Sequence, residues 1–205
     1  MIRAASLMAL AASVCAVETN PVPVLRVIDG DTIEVQADLG GQAVPVRVRL
    51  LYVNTPEAGD NQHSKAMPEG KAAADWMRTR LPRGHLVRLA GPGAELERDA
   101  HGSVLAVVWA EESGAVGAGT PIGDPSREHP AAWRENVNSQ LIAEGWSPYW
   151  RKYGEAAGRA HEALVESEKR AKSASAGAWA TAPQWMQDKA NERTAPRSDL
   201  HEGEE

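Results

Sequence analysis

Apolar and polar residues alternate in three short runs near the start of the chain, at 24–28, 32–36 and 44–52. In the third run Val44, Val46, Val48 and Leu50 alternate with Pro45, Arg47, Arg49 and Leu51. A period of two predicts a strand with two unlike faces. Gly40-Gly41 turns the chain between the second and third runs. A polar loop follows at 58–66, and then the period changes. Pro68 suits a first helical turn, where its missing N–H costs nothing. Ala72, Ala73, Trp76 and Met77 form the apolar stripe of that helix, and Pro82 and Gly84 stop it. Two more strand candidates, 85–90 and 103–109, are joined by a charged turn containing glycine. Five strands with a helix between the third and fourth predict an α+β fold built on a five-stranded OB-type β-barrel.

The second half is helical. Segment 111–130 is rich in Gly and Pro with few apolar anchors, and reads as a long surface loop or insertion. Trp133, Val137 and Leu141 then mark a second helix ending at Gly145. A third runs from about 155 to about 176 with Ala160, Leu164, Ser167 and Ala171 inward, and Gly177 is its C-terminal stop. Trp179 and Trp185 are expected to pack the end of the domain, and the polar, charged stretch 186–205 is expected to be a disordered acidic tail.

A length of 205 residues suits one domain with trimmings. There is no Phe, so Leu, Val, Ala and 7 Trp must fill the core. A formal net charge of -6 argues against a broad basic surface neutralising nucleic-acid phosphates, while leaving room for a local basic cleft. Residues 1–17 carry an early Arg3, a short apolar run and small residues, the pattern of a secretory signal peptide. Residues 18–23 read as a linker and 24–180 as the folded domain. The only cysteine is Cys15, inside that leader, so the mature chain would hold neither a disulfide nor a thiolate metal site. These features predict a secreted or periplasmic monomer, with no membrane association in its mature form.

The candidate chemistry lies around Asp29-Gly30-Asp31-Thr32, set between two apolar runs. Alone it is a common hairpin signal. The third run ends in Arg49-Leu50-Leu51-Tyr52-Val53-Asn54-Thr55-Pro56-Glu57, and later pieces are the Asp99-Ala100-His101-Gly102-Ser103 turn, Ile142-Ala143-Glu144-Gly145 and Gly177-Ala178-Trp179. In this order and spacing, the set resembles the staphylococcal nuclease (thermonuclease) family.

The resemblance implies Ca2+-dependent hydrolysis of phosphodiester bonds in DNA or RNA. Asp31 would be a calcium ligand, together with Asn54 and the backbone carbonyl of Thr55. Glu57 would orient or deprotonate the attacking water, and Arg49 would grip the phosphate. A hard cation with oxygen ligands suits this chemistry, as does a guanidinium that matches phosphate oxygens with a two-pronged fork. His101, Tyr149 and Tyr153 are substrate-binding candidates, with either tyrosine able to fill the family's nucleotide-lining place.

Two departures weaken the expected activity. Asn54 stands where the family has Asp, which removes a negative charge from the calcium site. Ser103 stands where the family has an Arg that meets charge building on the phosphate and leaving group. Arg98, His101 and the loop residues His63 and Lys65 are the nearby groups that could compensate. The alternative is a catalytically inactive nuclease fold that binds nucleic acid or protein.

Overall fold

The computed structural model describes residues 17–39, 42–59, 65–111 and 135–192. The strands are β1 (Val17–Glu18), β2 (Val22–Asp29), β3 (Thr32–Leu39), β4 (Gln42–Leu50), β5 (Leu86–Gly91), β6 (Val104–Ala110) and β7 (Glu135–Asn136). The helices are α1 (Pro68–Arg80), α2 (Val137–Ala143), α3 (Gly158–Ser173), α4 (Ala178–Thr181) and α5 (Pro183–Asn191). The order β5-β2-β3-β4-β6, with β5 also paired to β6, closes the five long strands into the expected α+β barrel. The two-residue strands β1 and β7 extend its edges.

β2, β3 and β4 form an antiparallel meander, and β4 then pairs with β6 in parallel, Val48 opposite Val104 and Arg49 opposite Leu105. The period-two reading of β4 holds in the burial: Val46, Val48 and Leu50 are inside, while Arg47 is exposed and Arg49 half-buried. β6 is buried at every residue. It is covered by the start of α2, where Asn138 is wholly buried and ties three backbone groups. Its Nδ2 donates to the carbonyls of Leu51 and Ala106 (2.8 and 3.2 Å), and its Oδ1 accepts from Val108 N–H (2.8 Å). A buried amide satisfied in this way fixes Leu51, the first residue after β4.

Several boundaries differ from the sequence expectation. Residues 18–23, read as a linker, contribute Glu18 to β1 and Val22-Pro23 to β2, because the β5 edge supplies hydrogen-bond partners that local polarity does not reveal. Among the described residues there are five helices rather than three. α5 continues to Asn191, inside the stretch read as tail, because Met186 and Ala190 bury against Trp179, Ala178 and Ala171 in a second small core. α2 starts at Val137, capped by the Asn136 side chain, which accepts from Ser139 N–H at 3.0 Å. In α1 the buried set is Gly70, Ala73, Ala74 and Met77, so Ala74 takes the place expected for Ala72. All four positions expected inward on α3 are buried. The leader residues 1–16, His63, Trp133, the 112–134 segment and 193–205 lie outside the described residues. No helix among the described residues is long and apolar enough to cross a membrane.

α1 is seated directly on the loop that follows β4. A Cβ at Gly70 would lie 2.2 Å from the carbonyl oxygen of Glu57 and 2.5 Å from that of Pro56. That carbonyl of Glu57 also accepts from Met67 N–H (2.9 Å). Backbone cannot yield as a flexible side chain can, so Gly70→Ala must push the helix and the loop apart. Overpacking of this kind costs about 1–3 kcal/mol, which thermal unfolding should register as a lowered Tm. An unchanged Tm would mean the helix has room to slide.

Candidate active site

Three segments converge at one end of the barrel: the β2–β3 turn, the end of β4 with the 51–58 loop, and the 147–153 loop after α2. Asp31 anchors them. It is only 6% exposed, and its Oδ1 accepts from Thr32 Oγ1 (2.9 Å) while its Oδ2 accepts from Thr55 N–H (2.8 Å). Arg49 Nη1 makes an ion pair with the same Oδ2 at 2.7 Å. The other fork of Arg49 donates from Nη2 to Asn54 Oδ1 at 2.7 Å. Asp31, Arg49, Asn54 and Thr55, all picked out in the sequence, thus form one connected set.

Asp29 and Glu57 make a second, adjoining carboxyl pair. Asp29 accepts from the N–H groups of Gly30 (2.7 Å) and Ala58 (3.3 Å), and it shares a side-chain hydrogen bond with Glu57. Burial raises the Asp29 carboxyl, and the Asp31 charge adds to that. Glu57 is pushed up to about 7, first by burial and then by the charges of Asp29 and Asp31, with Arg49 acting in the opposite direction. At neutral pH Glu57 therefore holds a proton much of the time and donates it to Asp29. Three carboxyl groups and one guanidinium share this patch, so its full ionisation leaves surplus negative charge. A carboxyl raised in the folded state binds its proton more tightly than in the unfolded chain. Stability therefore falls as pH rises from the ordinary carboxylate range through about 7. Glu57→Gln should accordingly stabilise the metal-free protein above pH 7 relative to wild type and lose that advantage near pH 4. A difference in Tm that does not vary with pH would contradict this.

Thr55 is 2% exposed, and its hydroxyl has no hydrogen-bond partner. It packs over Gly30, where a Cβ would come within 2.6 Å of the Thr55 oxygen. Ser147, wholly buried, holds the loop from the other side: its Oγ accepts from Asn54 N–H (2.8 Å) and donates to the Pro148 carbonyl (2.7 Å). Next along, Trp150 donates its backbone N–H to the Tyr52 carbonyl (2.9 Å), and Tyr52 has a left-handed φ of 67°.

The substrate-binding candidates separate. Tyr149 is completely buried; its hydroxyl accepts from Ala156 N–H (2.8 Å) and contacts His161 Nδ1 (3.1 Å). Its ring is a core element and offers no face to a base, which corrects its expected role. Tyr153 is half-buried on the site side. Burial raises its phenol, and the charges of Asp99 and Asp31 add to the shift while Arg49 opposes it. His101 is exposed at the tip of that turn. Asp99 Oδ1 accepts from the N–H groups of His101 (2.9 Å) and Ser103 (2.8 Å). Arg98 is committed within the same turn, donating from Nη1 to Gly102 O at 2.6 Å. Ser103 is 4% exposed at the head of β6.

Asn138 and Ser147 were not singled out from the sequence, and Asp29 and Trp150 were given no individual role there. A buried hydroxyl and a buried amide carry no local signal. Their roles depend on partners far away in the chain.

Barrel and site together define an OB-type fold with a cluster of carboxyl groups and one arginine at one end. The family model for staphylococcal nuclease homologue matches residues 47–181, and the chain belongs to that family. Asp29 and Asp31 lie before that match, and α5 lies after it. Protein ParB of Escherichia coli is 28% identical over 156 residues, covering 76% of this chain and 70% of that protein. The thermonuclease of Staphylococcus hyicus is 40% identical over 86 residues, covering 42% of this chain and 46% of that enzyme.

Proposed function

We propose that this protein is a Ca2+-dependent phosphodiesterase acting on DNA or RNA, weaker than intact members of its family. The observation that carries the reading is the joined set of Asp31, Arg49, Asn54, Thr55 and Glu57 at one barrel end. The donor set fits a hard cation. It offers oxygens alone, and the surplus negative charge that raises Glu57 is the charge a divalent ion would offset. Among the described residues no cluster of three or more His, Cys, Asp or Glu stands ready as a metal cage.

Asp31, Asn54 and the Thr55 carbonyl would hold the ion. Bound there, calcium polarises a phosphate and positions water. Arg49 grips the phosphate oxygens, exchanging its bonds to Asp31 and Asn54 for them. Glu57 takes the proton of the attacking water once its own proton has gone, and Asp29 stands ready as its hydrogen-bond partner. Tyr153 contacts the nucleotide at the cleft edge. Nucleic acid is the partner, and the apolar leader directs the protein out of the cytoplasm.

Cleavage of single-stranded DNA, duplex DNA and RNA by the leaderless protein tests this, with calcium, with chelator and with an Asp31→Ala control. Calcium-dependent cleavage absent from the control supports it. A folded protein that cleaves nothing above the control would be a binding module. Calcium affinity should also weaken as pH falls through about 7, because protonating Glu57 removes a negative charge beside the ion. Calorimetric titration at two pH values on either side of 7 checks this, and equal affinity at both would contradict it.

A further inference from the structure

The guanidinium of Arg49 has a third neighbour besides Asp31 and Asn54: its Cζ lies 5.3 Å from the centroid of the Trp150 ring. A cation over an indole face is attracted to it, and the contact fixes the plane of the fork as well as its position. Trp150 is 6% exposed and is itself held at several points. Its backbone N–H reaches the Tyr52 carbonyl, and its ring meets Tyr153 edge-on at 5.4 Å. Its indole Nε1–H donates to Glu192 Oε2 at 2.6 Å. Glu192 is the first residue after α5 and is braced by Lys189 one turn back. Arg151 makes a second tie to the same helix, from Nη2 to Ala190 O at 3.5 Å. α5 is anchored in turn by Met186 and Ala190 in the small core around Trp179.

We infer that Trp150 and Glu192 are positioning residues for Arg49. In this arrangement the C-terminal helix, which lies beyond the family match at residue 181, sets the orientation of the phosphate-gripping fork. The inference rests on the nuclease reading for its kinetic consequence only. Neither residue reaches the reacting atoms. Glu192 acts by fixing the indole, and the indole by fixing the guanidinium. A hydrogen bond from an indole requires only an acceptor oxygen, so the amide of Gln should serve at position 192 and a methyl group should not.

The test compares wild type with Glu192→Ala, Glu192→Gln, Trp150→Phe and the double variant Glu192→Ala/Trp150→Phe. The first readout is the NMR shift of the Arg49 Hδ protons, which the Trp150 ring current displaces. It needs neither calcium nor turnover. The second is kcat and KM for calcium-dependent cleavage of single-stranded DNA. Glu192→Ala should move the Arg49 resonance and lower kcat about tenfold, a modest share of what a mispositioned group can cost. Glu192→Gln should restore both. The double variant should be no worse than Trp150→Phe alone, since both act through one contact. Should Trp150→Phe fail to fold, the partly exposed Glu192 pair still decides. An Arg49 resonance that ignores Glu192→Ala, or a Gln variant as impaired as Ala, overturns the inference. Wild type without turnover would defeat the nuclease reading alone, and the resonance would still decide this one.

Discussion

Arg49→Ala should abolish nucleic-acid cleavage, with kcat/KM down by at least about 10³, the lower bound for comparable arginines in phosphoryl transfer. The structure gives two reasons. The Nη1 and Nη2 groups that would meet phosphate oxygens are lost, and so is the only cation in direct contact with Asp31 among the described ion pairs. The side chains of this pair are 13% and 9% exposed. Removing one partner from so enclosed a pair leaves a charge with little water, a loss of about 3–5 kcal/mol in fully buried cases. The variant should therefore also unfold at lower temperature in chelator, with calcium recovering part of the difference by neutralising Asp31. Arg49→Lys separates the effects: the charge remains and the fork is lost, so stability should recover more than kcat. Asp31→Ala should be equally inactive and unresponsive to calcium. Retained cleavage in Arg49→Ala or Asp31→Ala would mean the reaction occurs elsewhere.

The second large effect is a gain. Ser103→Arg should raise kcat well above wild type, by about 10² or more, against the 10³–10⁵ that a fully placed arginine supplies. Residue 103 sits at the head of β6, which runs parallel to β4 and opposes it at Val48 and Arg49. The turn before it is already fixed by Asp99, which accepts from Ser103 N–H, so the backbone should present the new side chain without rebuilding. Ser103 is buried, so the longer arginine side chain has to reach out past its neighbours to enter the site. Adding Asn54→Asp restores one negative charge and should tighten calcium. Each variant is read by initial rates across a calcium titration, and a Ser103→Arg protein no faster than wild type would show that this position is differently built.

The barrel was legible because short apolar runs are set off by turn residues, and β4 adds a plain alternation, while β6 is a continuous apolar run. Asp31, Arg49, Asn54 and Thr55 were legible because the site is made from two short motifs whose separation is set by one hairpin. What was hidden depended on distant partners. Tyr149 looks like a ligand-facing tyrosine in an aromatic, basic stretch, yet it sits inside because α3 brings His161 to its hydroxyl. The stretch after Met186 looks solvated because its few apolar residues, Met186 and Ala190, have meaning only against Trp179. Polar anchors such as Asn138 and Ser147 are buried through tertiary contacts and have no sequence period at all.

The parallel pairing of β4 with β6 has a consequence for biosynthesis. It joins strands separated by the whole of α1 and β5, so barrel closure is a long-range event that pays its loop entropy before any reward. The β2–β4 meander, carrying Asp31 and Arg49, leaves the ribosome early. Its 54–57 loop gains its hold on the Asn54 backbone only when Ser147 arrives, and the Arg49 fork gains its aromatic neighbour only when Trp150 does. The proposed site therefore cannot assemble until synthesis has passed Trp150, long after Asp31 and Arg49 have emerged.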